Sequence, residues 1–234
     1  MIAGLQKMTL LDYPGKVACT LFLQGCNFRC PFCHNSELLP RSGEAFMTEE
    51  EFLAFLRKRQ GLLDGVCVSG GAPTLYKDLP RLLKDIKDLG FLVKLDTNGS
   101  DPAMLKALVA EGLVDYVAMD IKNSPARYGE TVGLAKVNMA PMEESIRFLL
   151  SGAVAYEFRT TVVAQLHDDA SIEEMGQWLS SLVPGKMPRT LWLQKFTDRE
   201  TVLFAGLSAP SPEQMKRFVT LLAPFVEKTA IRGE

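Results

Sequence analysis

Six short apolar runs rich in β-branched residues alternate with segments of helical period, and that alternation constrains the fold more than any other feature of the sequence. The runs are Val17–Leu23, Gly65–Ser69, Leu92–Asp96, Tyr116–Ile121, Tyr156–Val163 and Thr190–Phe196. Strand–helix–strand repetition implies parallel pairing with right-handed crossovers. Parallel strands are covered on both faces and read as near-continuous apolar stretches, as these do. Between them, Thr48 and Glu51 form a capping box ahead of Phe52, Phe55 and Leu56 on one helical face. Leu79, Leu82, Leu83 and Ile86 repeat that spacing, with Gly90 as the stop. Asp101-Pro102 opens a third helix as cap and first residue, and Gly112 closes it. Glu143–Leu150, Ser171–Leu182 and Ser211–Val226 supply three more, the last two with a serine cap. An eight-unit barrel typically takes about 250 residues. Six units in 234 residues therefore suggest an α/β barrel left incomplete, with a doubly wound open sheet as the competing architecture.

No Gly/Ser linker, charge block or shift of composition divides the chain. It reads as one domain, 1–234, with a core over about 15–200 and a C-terminal helix over 211–228. Acidic residues number 28 and basic residues 26, a net charge of −2, so no basic field supports nucleic-acid binding. The longest apolar stretch near the N-terminus, Val17–Leu23, is too short to cross a membrane, and no basic leader precedes it. The expected location is cytoplasmic.

The first run leads into Gln24-Gly25-Cys26-Asn27-Phe28-Arg29-Cys30-Pro31-Phe32-Cys33-His34-Asn35, a C-x3-C-x2-C spacing. Five cysteines with three crowded together do not look like a secreted disulfide framework. Thiolates suit zinc or iron–sulfur clusters. A structural zinc site takes four ligands, commonly two separated pairs, whereas this set stops at Cys26, Cys30 and Cys33. His34 abuts Cys33, awkward geometry for joining the same metal. Three cysteines on a four-iron cubane leave one iron without a protein ligand, and an open metal position marks a catalytic site. Cys19 and Cys67 lie inside strands and read as small buried hydrophobes.

This loop, with aromatic Phe32 before the last cysteine, resembles that of the radical S-adenosylmethionine superfamily. The longer string, with Asp12-Tyr13-Pro14-Gly15-Lys16 ahead of it, resembles the glycyl-radical activating enzymes, most closely the anaerobic ribonucleoside-triphosphate reductase activating proteins. The resemblance runs from Met8 to about Phe196. It implies a partial (β/α)6 barrel of TIM type. It also implies a [4Fe-4S] cluster on Cys26, Cys30 and Cys33, with S-adenosylmethionine chelating the open iron. One electron from the reduced cluster then splits the sulfonium bond, and the 5′-deoxyadenosyl radical takes a hydrogen atom from a backbone glycine of a partner enzyme. The cofactors carry the chemistry, so no side chain is expected to act as acid, base or nucleophile.

Functional residues of barrels gather at the C-terminal ends of strands. The second run ends in Ser69-Gly70-Gly71-Ala72-Pro73. The family has Gly-Gly-Glu-Pro there, with its backbone against the cofactor's amino group, and Ala72 departs from that pattern. The third run ends in Asp96-Thr97-Asn98-Gly99 and the fourth in Met119-Asp120-Ile121-Lys122. In the resemblance, Asp96, Asn98, Asp120 and Lys122 lie beside the cofactor, with a monovalent cation near the two carboxylates. Two acids at adjacent strand ends can hold a hard cation; a turn or cap role is the plain reading of Asp96, and a solvated charge that of Lys122. Arg159 lies in an apolar strand and requires an anion: the cofactor's carboxylate by resemblance, or an acidic neighbour in an internal ion pair. Gln194, with Thr197 as the alternative, is placed against the ribose or adenine. His167, beside Asp168-Asp169, reads as a surface loop residue.

The leading functional reading is a glycyl-radical activase. Its expected partner is an anaerobic ribonucleotide reductase, with pyruvate formate-lyase second. Activases with additional ferredoxin-like clusters need about eight more cysteines. A chain with five therefore depends on an external donor, flavodoxin or ferredoxin. A radical enzyme acting on a small molecule or peptide is the second class. An iron–sulfur sensor or zinc module is the third, and leaves the Gly-Gly pair, Asp96 and Arg159 unexplained.

Overall fold

The structure is a computed structural model and describes residues 1–40 and 44–233. The chain divides into two compact bodies, Met1–Asn27 with Glu37–Ala118, and Phe28–Ser36 with Met119–Glu234.

The first body holds β1 (Ile2–Thr9), β2 (Ala18–Leu23), α1 (Glu49–Arg57), β3 (Gly65–Gly70), α2 (Leu79–Asp88), β4 (Leu92–Thr97), α3 (Pro102–Ala110) and the start of β5 (Tyr116–Asp120). The Thr48 hydroxyl accepts from the Glu51 N–H at 3.1 Å while the Glu51 carboxylate accepts from the Thr48 N–H at 2.8 Å, so the expected capping box begins α1. Asp101 caps α3 by accepting from the Met104 N–H at 3.0 Å. Leu79, Leu82, Leu83 and Ile86 are all buried, and Gly90 ends that helix with φ +87°. β2, β3 and β4 are parallel, with Thr20, Cys67 and Lys94 in one register row. Strand side chains alternate between faces. Cys19, Leu21, Val66, Val68, Val93 and Leu95 therefore form a sealed apolar face, and Thr20, Cys67, Ser69, Lys94 and Asp96 line the other.

The second body holds the end of β5, α4 (Tyr128–Thr131), α5 (Ala140–Leu150), β6 (Ala155–Val162), α6 (Asp169–Ser181), β7 (Thr190–Lys195), α7 (Pro212–Leu222) and β8 (Lys228–Ile231). β6, β7 and β8 are parallel. Glu157 on β6 is almost fully buried, and Arg232 reaches it at 2.7 Å while lying over the Trp192 ring.

The six expected strands are β2 to β7, with ends that differ by a residue or so. Two strands were not anticipated. β1 pairs antiparallel with β2 through two register shifts, which breaks the period-2 pattern of its sequence. β8 has only four residues and follows α7, which stops at Leu222 rather than Val226. Pro224 is the reason: Ala223 is still helical, but proline has no N–H to continue the ladder and its ring crowds the preceding turn. α6 is capped by Asp168, not Ser171. The Asp168 carboxylate accepts from the Ser171 N–H at 2.8 Å, and the Ser171 hydroxyl oxygen in turn accepts from the Asp168 N–H at 3.0 Å. α5 begins at Ala140, three residues before its expected start. Among the described residues no helix is long and apolar enough to cross a membrane.

Candidate functional site

The cysteine loop begins in the first body, and its anchor there is backbone against backbone. The Gly25 carbonyl accepts from the Ala72 N–H at 2.7 Å, and the Gly25 N–H donates to the Leu38 carbonyl at 2.7 Å. A Cβ on Gly71 would stand 2.3 Å from the Gly25 carbonyl oxygen and 3.2 Å from the Cys26 nitrogen; one on Gly70 would stand 2.3 Å from the Leu23 oxygen. The paired glycines after β3 therefore let that turn lie directly on the segment leading into Cys26. Asn98, at the end of β4, donates to Asn27 Oδ1 at 2.8 Å and so ties a second strand end to the same segment. Ala72 is buried, as are two polar atoms that make no hydrogen bond among the described residues, Gln24 Oε1 and Thr74 Oγ1.

Asp96 does not act as a turn residue. Its Oδ2 accepts from Ser69 Oγ at 2.9 Å and its Oδ1 from Lys94 Nζ. The turn after β4 is held instead by Thr97 Oγ1, which accepts from the Gly99 N–H, and by Asn98 Oδ1, which accepts from Ser100. Lys94 was not singled out from sequence. The available signal was a charge inside an apolar run, the signal that exposed Arg159.

In the second body the rest of the cysteine loop is held the same way. The Arg29 N–H donates to the Val132 carbonyl at 2.8 Å, and a Cβ on Gly133 would stand 2.2 Å from the Arg29 oxygen. The Cys33 N–H donates to the Cys30 carbonyl at 3.1 Å, closing a turn between them. Phe32 and Phe28 are buried, the latter edge-on to Tyr128. His34 stacks on Phe196 with ring centres 5.6 Å apart, and its Nε2 bonds the Thr197 carbonyl at 2.7 Å. Thr201 donates to the His34 carbonyl, and Ser36 to that of Thr201. His34 thus straps the tail of the loop to the segment after β7. Gln194 is half-buried on β7, in register with Thr161, and Thr197 is exposed.

Asp120 accepts from Arg159 and from Lys122. Arg159 Nε and Nη2 reach Oδ1 at 3.1 and 3.0 Å, and Lys122 Nζ reaches Oδ2 at 3.0 Å. Arg159 therefore makes the internal ion pair that was one of its two expected roles. Burial opposes the charge on Lys122, but the carboxylate of Asp120 and then the neighbouring Cys30 outweigh it and raise its pKa above the ordinary lysine range. Lys122 is not a solvated surface charge, with 15% of its side chain exposed. His167 is a correction, because it is buried rather than in a surface loop. Its Nδ1 accepts from the Val163 N–H at 3.1 Å, and its Nε2–H donates to the Lys122 carbonyl at 2.8 Å. Nδ1 also lies 3.2 Å from the Val163 oxygen, and burial holds the His167 pKa below the usual value, which favours the neutral ring. Together with Thr160, which donates to the Ile121 carbonyl, it pins the segment carrying Asp120 and Lys122.

Cys19 and Cys67 are fully buried, as expected, and burial pushes the Cys19 thiol up to about 12. Among the described residues, no three His, Cys, Asp or Glu side chains stand close enough together to hold a metal ion. Cys26 belongs to the first body and Cys30 and Cys33 to the second.

Comparison with known proteins accords with this arrangement. The sequence profile of the Radical SAM superfamily matches residues 20–163. A Methanocaldococcus jannaschii protein that carries the provisional name of glycyl-radical enzyme activating enzyme is 28% identical over 99% of this chain and 95% of its own. The pyruvate formate-lyase-activating enzyme of Clostridium pasteurianum is 32% identical over 52% of each chain. Among solved structures, Streptococcus suis SuiB bound to S-adenosylmethionine superposes with a TM-score of 0.66 at 14% identity, over 92% of this chain and 52% of that one. The chain thus spans about half the length of that structure, and the likeness is one of fold: an α/β fold with a parallel sheet and a partial TIM-type barrel core. The superfamily works with a [4Fe-4S] cluster and S-adenosylmethionine. The chain belongs to the Radical SAM superfamily and is an enzyme of that family, homologous to glycyl-radical enzyme activating enzymes.

Proposed function

We propose that the chain, as a single radical SAM domain over 1–234, generates a glycyl radical on a partner enzyme. The favoured partner class, on the resemblance of the Asp12–Lys16 and Gln24–Asn35 strings, is anaerobic ribonucleoside-triphosphate reductase, with the pyruvate formate-lyase type as the alternative. The observation that carries this reading is likeness along almost the whole length to a glycyl-radical enzyme activating enzyme, rather than to the cysteine loop alone.

Cys26, Cys30 and Cys33 would hold the cluster. Three soft thiolate donors and no fourth suit a cluster with one iron left for a non-protein ligand. When bound, the cluster and S-adenosylmethionine supply one-electron cleavage of the sulfonium and a 5′-deoxyadenosyl radical. The residues of this chain bind and orient. Gly70 and Gly71 present backbone to the cofactor's amino group, and the unsatisfied Gln24 and Thr74 oxygens in the same body fit a polar ligand. Asp96, Asn98 and Asp120 offer oxygens at strand ends. Arg159 would answer the cofactor's carboxylate in addition to its pair with Asp120, Lys122 would lie beside the cofactor on the other side of that pair, and Gln194 would meet the ribose or adenine. Phe32 shields the loop from water. Flavodoxin or ferredoxin would deliver the electron, in the cytoplasm, without membrane or nucleic acid.

The test is anaerobic reconstitution followed by dithionite and S-adenosylmethionine. Formation of 5′-deoxyadenosine establishes the chemistry. A glycyl doublet in the electron-spin-resonance spectrum, appearing with one candidate partner and not another, identifies the substrate. Nucleoside formation with no doublet from either partner class overturns the activase reading in favour of a small-molecule or peptide substrate.

A further inference from the structure

Lys94 sits in the middle of β4 with no exposed side-chain surface. Its register neighbour is Cys67, whose Sγ lies 3.8 Å from Nζ. The ammonium points along the strand to Asp96, two residues on and on the same face, and meets Oδ1 at 2.5 Å. Ser69 Oγ, from the neighbouring strand, takes Oδ2 at 2.9 Å. The two ends of the pair are treated differently. The lysine is sealed, while 14% of the Asp96 side chain stays open at the C-terminal end of its strand. Functional residues of barrels lie at that end.

A buried ion pair is a poor way to gain stability, since apolar residues of equal volume often serve as well or better. What it gives here is direction. Oδ1 accepts from Lys94 and Oδ2 from Ser69, so a ligand that reaches the exposed part of Asp96 meets a carboxylate whose rotamer is already set.

We infer that Lys94 is a positioning residue, a built-in counter-cation that fixes the Asp96 carboxylate to receive a polar group of S-adenosylmethionine. The inference rests on the cofactor reading of Asp96.

The test compares Lys94→Met, Lys94→Ala, Asp96→Asn and the double variant Lys94→Met/Asp96→Asn as anaerobically reconstituted holoenzymes. Titration calorimetry gives the affinity for S-adenosylmethionine, and iron content and melting temperature are measured beside it. Asp96→Asn and Lys94→Met should each weaken binding about tenfold or more, as expected for a lost or misdirected charged hydrogen bond. The double variant should melt higher than Lys94→Met yet bind no better than Asp96→Asn. Added n-propylammonium chloride should restore much of the affinity of Lys94→Ala, and potassium chloride at equal ionic strength should not. Wild-type affinity in Lys94→Met, with Asp96→Asn weakened, overturns the positioning role and leaves the cofactor reading standing. Wild-type affinity in Asp96→Asn removes the cofactor reading itself, and the inference with it. If Lys94→Met fails to fold, the double variant decides, and wild-type affinity there overturns the inference.

Discussion

Replacing Gly71 with alanine adds one methyl group where the turn after β3 lies on the segment leading into Cys26. Its Cβ would stand 2.3 Å from the Gly25 oxygen, and real Cβ contacts essentially never fall below 3.0 Å, so the two backbones must separate by at least 0.7 Å. Gly71 is not held at positive φ, so close approach, rather than backbone strain, sets the cost. Overpacking of this kind costs about 1–3 kcal/mol, and weakening the Ala72 N–H to Gly25 carbonyl bond about 1 kcal/mol more. A loss of about 2–4 kcal/mol lowers Tm by roughly 5–15 °C in a chain of this size. The functional effect should exceed the stability effect, because ligand constellations tolerate only about 0.5 Å of displacement and the Cys26 nitrogen is 3.2 Å from the new methyl. Iron and sulfide per chain after anaerobic reconstitution, with the visible absorbance of the cluster, are the assay. Gly90→Ala is the control: its φ of +87° makes alanine strained, yet nothing lies within 4 Å. It should lower Tm by a comparable amount and leave iron content unchanged. Full iron loading in Gly71→Ala, or a loss no greater than in Gly90→Ala at equal Tm, would refute the reasoning.

Cys30→Ala should abolish cluster loading, since two thiolates cannot hold the cubane, while Cys19→Ala should load normally and lose only packing; iron content of both decides. The folded protein keeps His167 neutral below the pH at which the unfolded chain protonates it, so the unfolded state binds more protons. Its contribution is therefore complete above about pH 6.5 and is lost as pH falls through the depressed folded pKa, with a slope of at most about 1.4 kcal/mol per pH unit. Urea unfolding of wild type and His167→Gln between pH 5.5 and 7.5 should show a smaller pH dependence in the variant; equal slopes would contradict this. Ala72→Glu places a carboxylate at a buried position. It should destabilise the protein without ligand, lowering Tm by more than an uncharged polar residue there would, because burying a carboxylate costs more than burying an amide or hydroxyl; S-adenosylmethionine should restore Tm, and its affinity should rise. Unchanged affinity would make Ala72 harmless.

The periodicity of the chain determined a good deal by itself. Alternating β-branched runs and amphipathic stretches located β2 to β7 and most of the helices, because each element must bury a face and that requirement is written locally. The cysteine spacing was equally local, since three thiolates within one loop need no tertiary contact to be recognised. β1 and β8 escaped because their stability comes from pairing, not from their own pattern. The use of each polar side chain was decided only by tertiary structure. Asp168 rather than Ser171 became the cap because it takes the extended conformation that a cap requires. His167 went inside because the carbonyl of Lys122 and the amide of Val163 met both its nitrogens. Asp96 and Asp120 look alike in sequence as acids at strand ends, yet one is bound by a buried lysine two residues earlier and the other by an arginine 39 residues away with a lysine beside it. Sequence can say that a buried charge needs a partner; only the register and twist of neighbouring strands choose which one, because electrostatic pairing acts over a few ångströms in space and takes no account of separation along the chain.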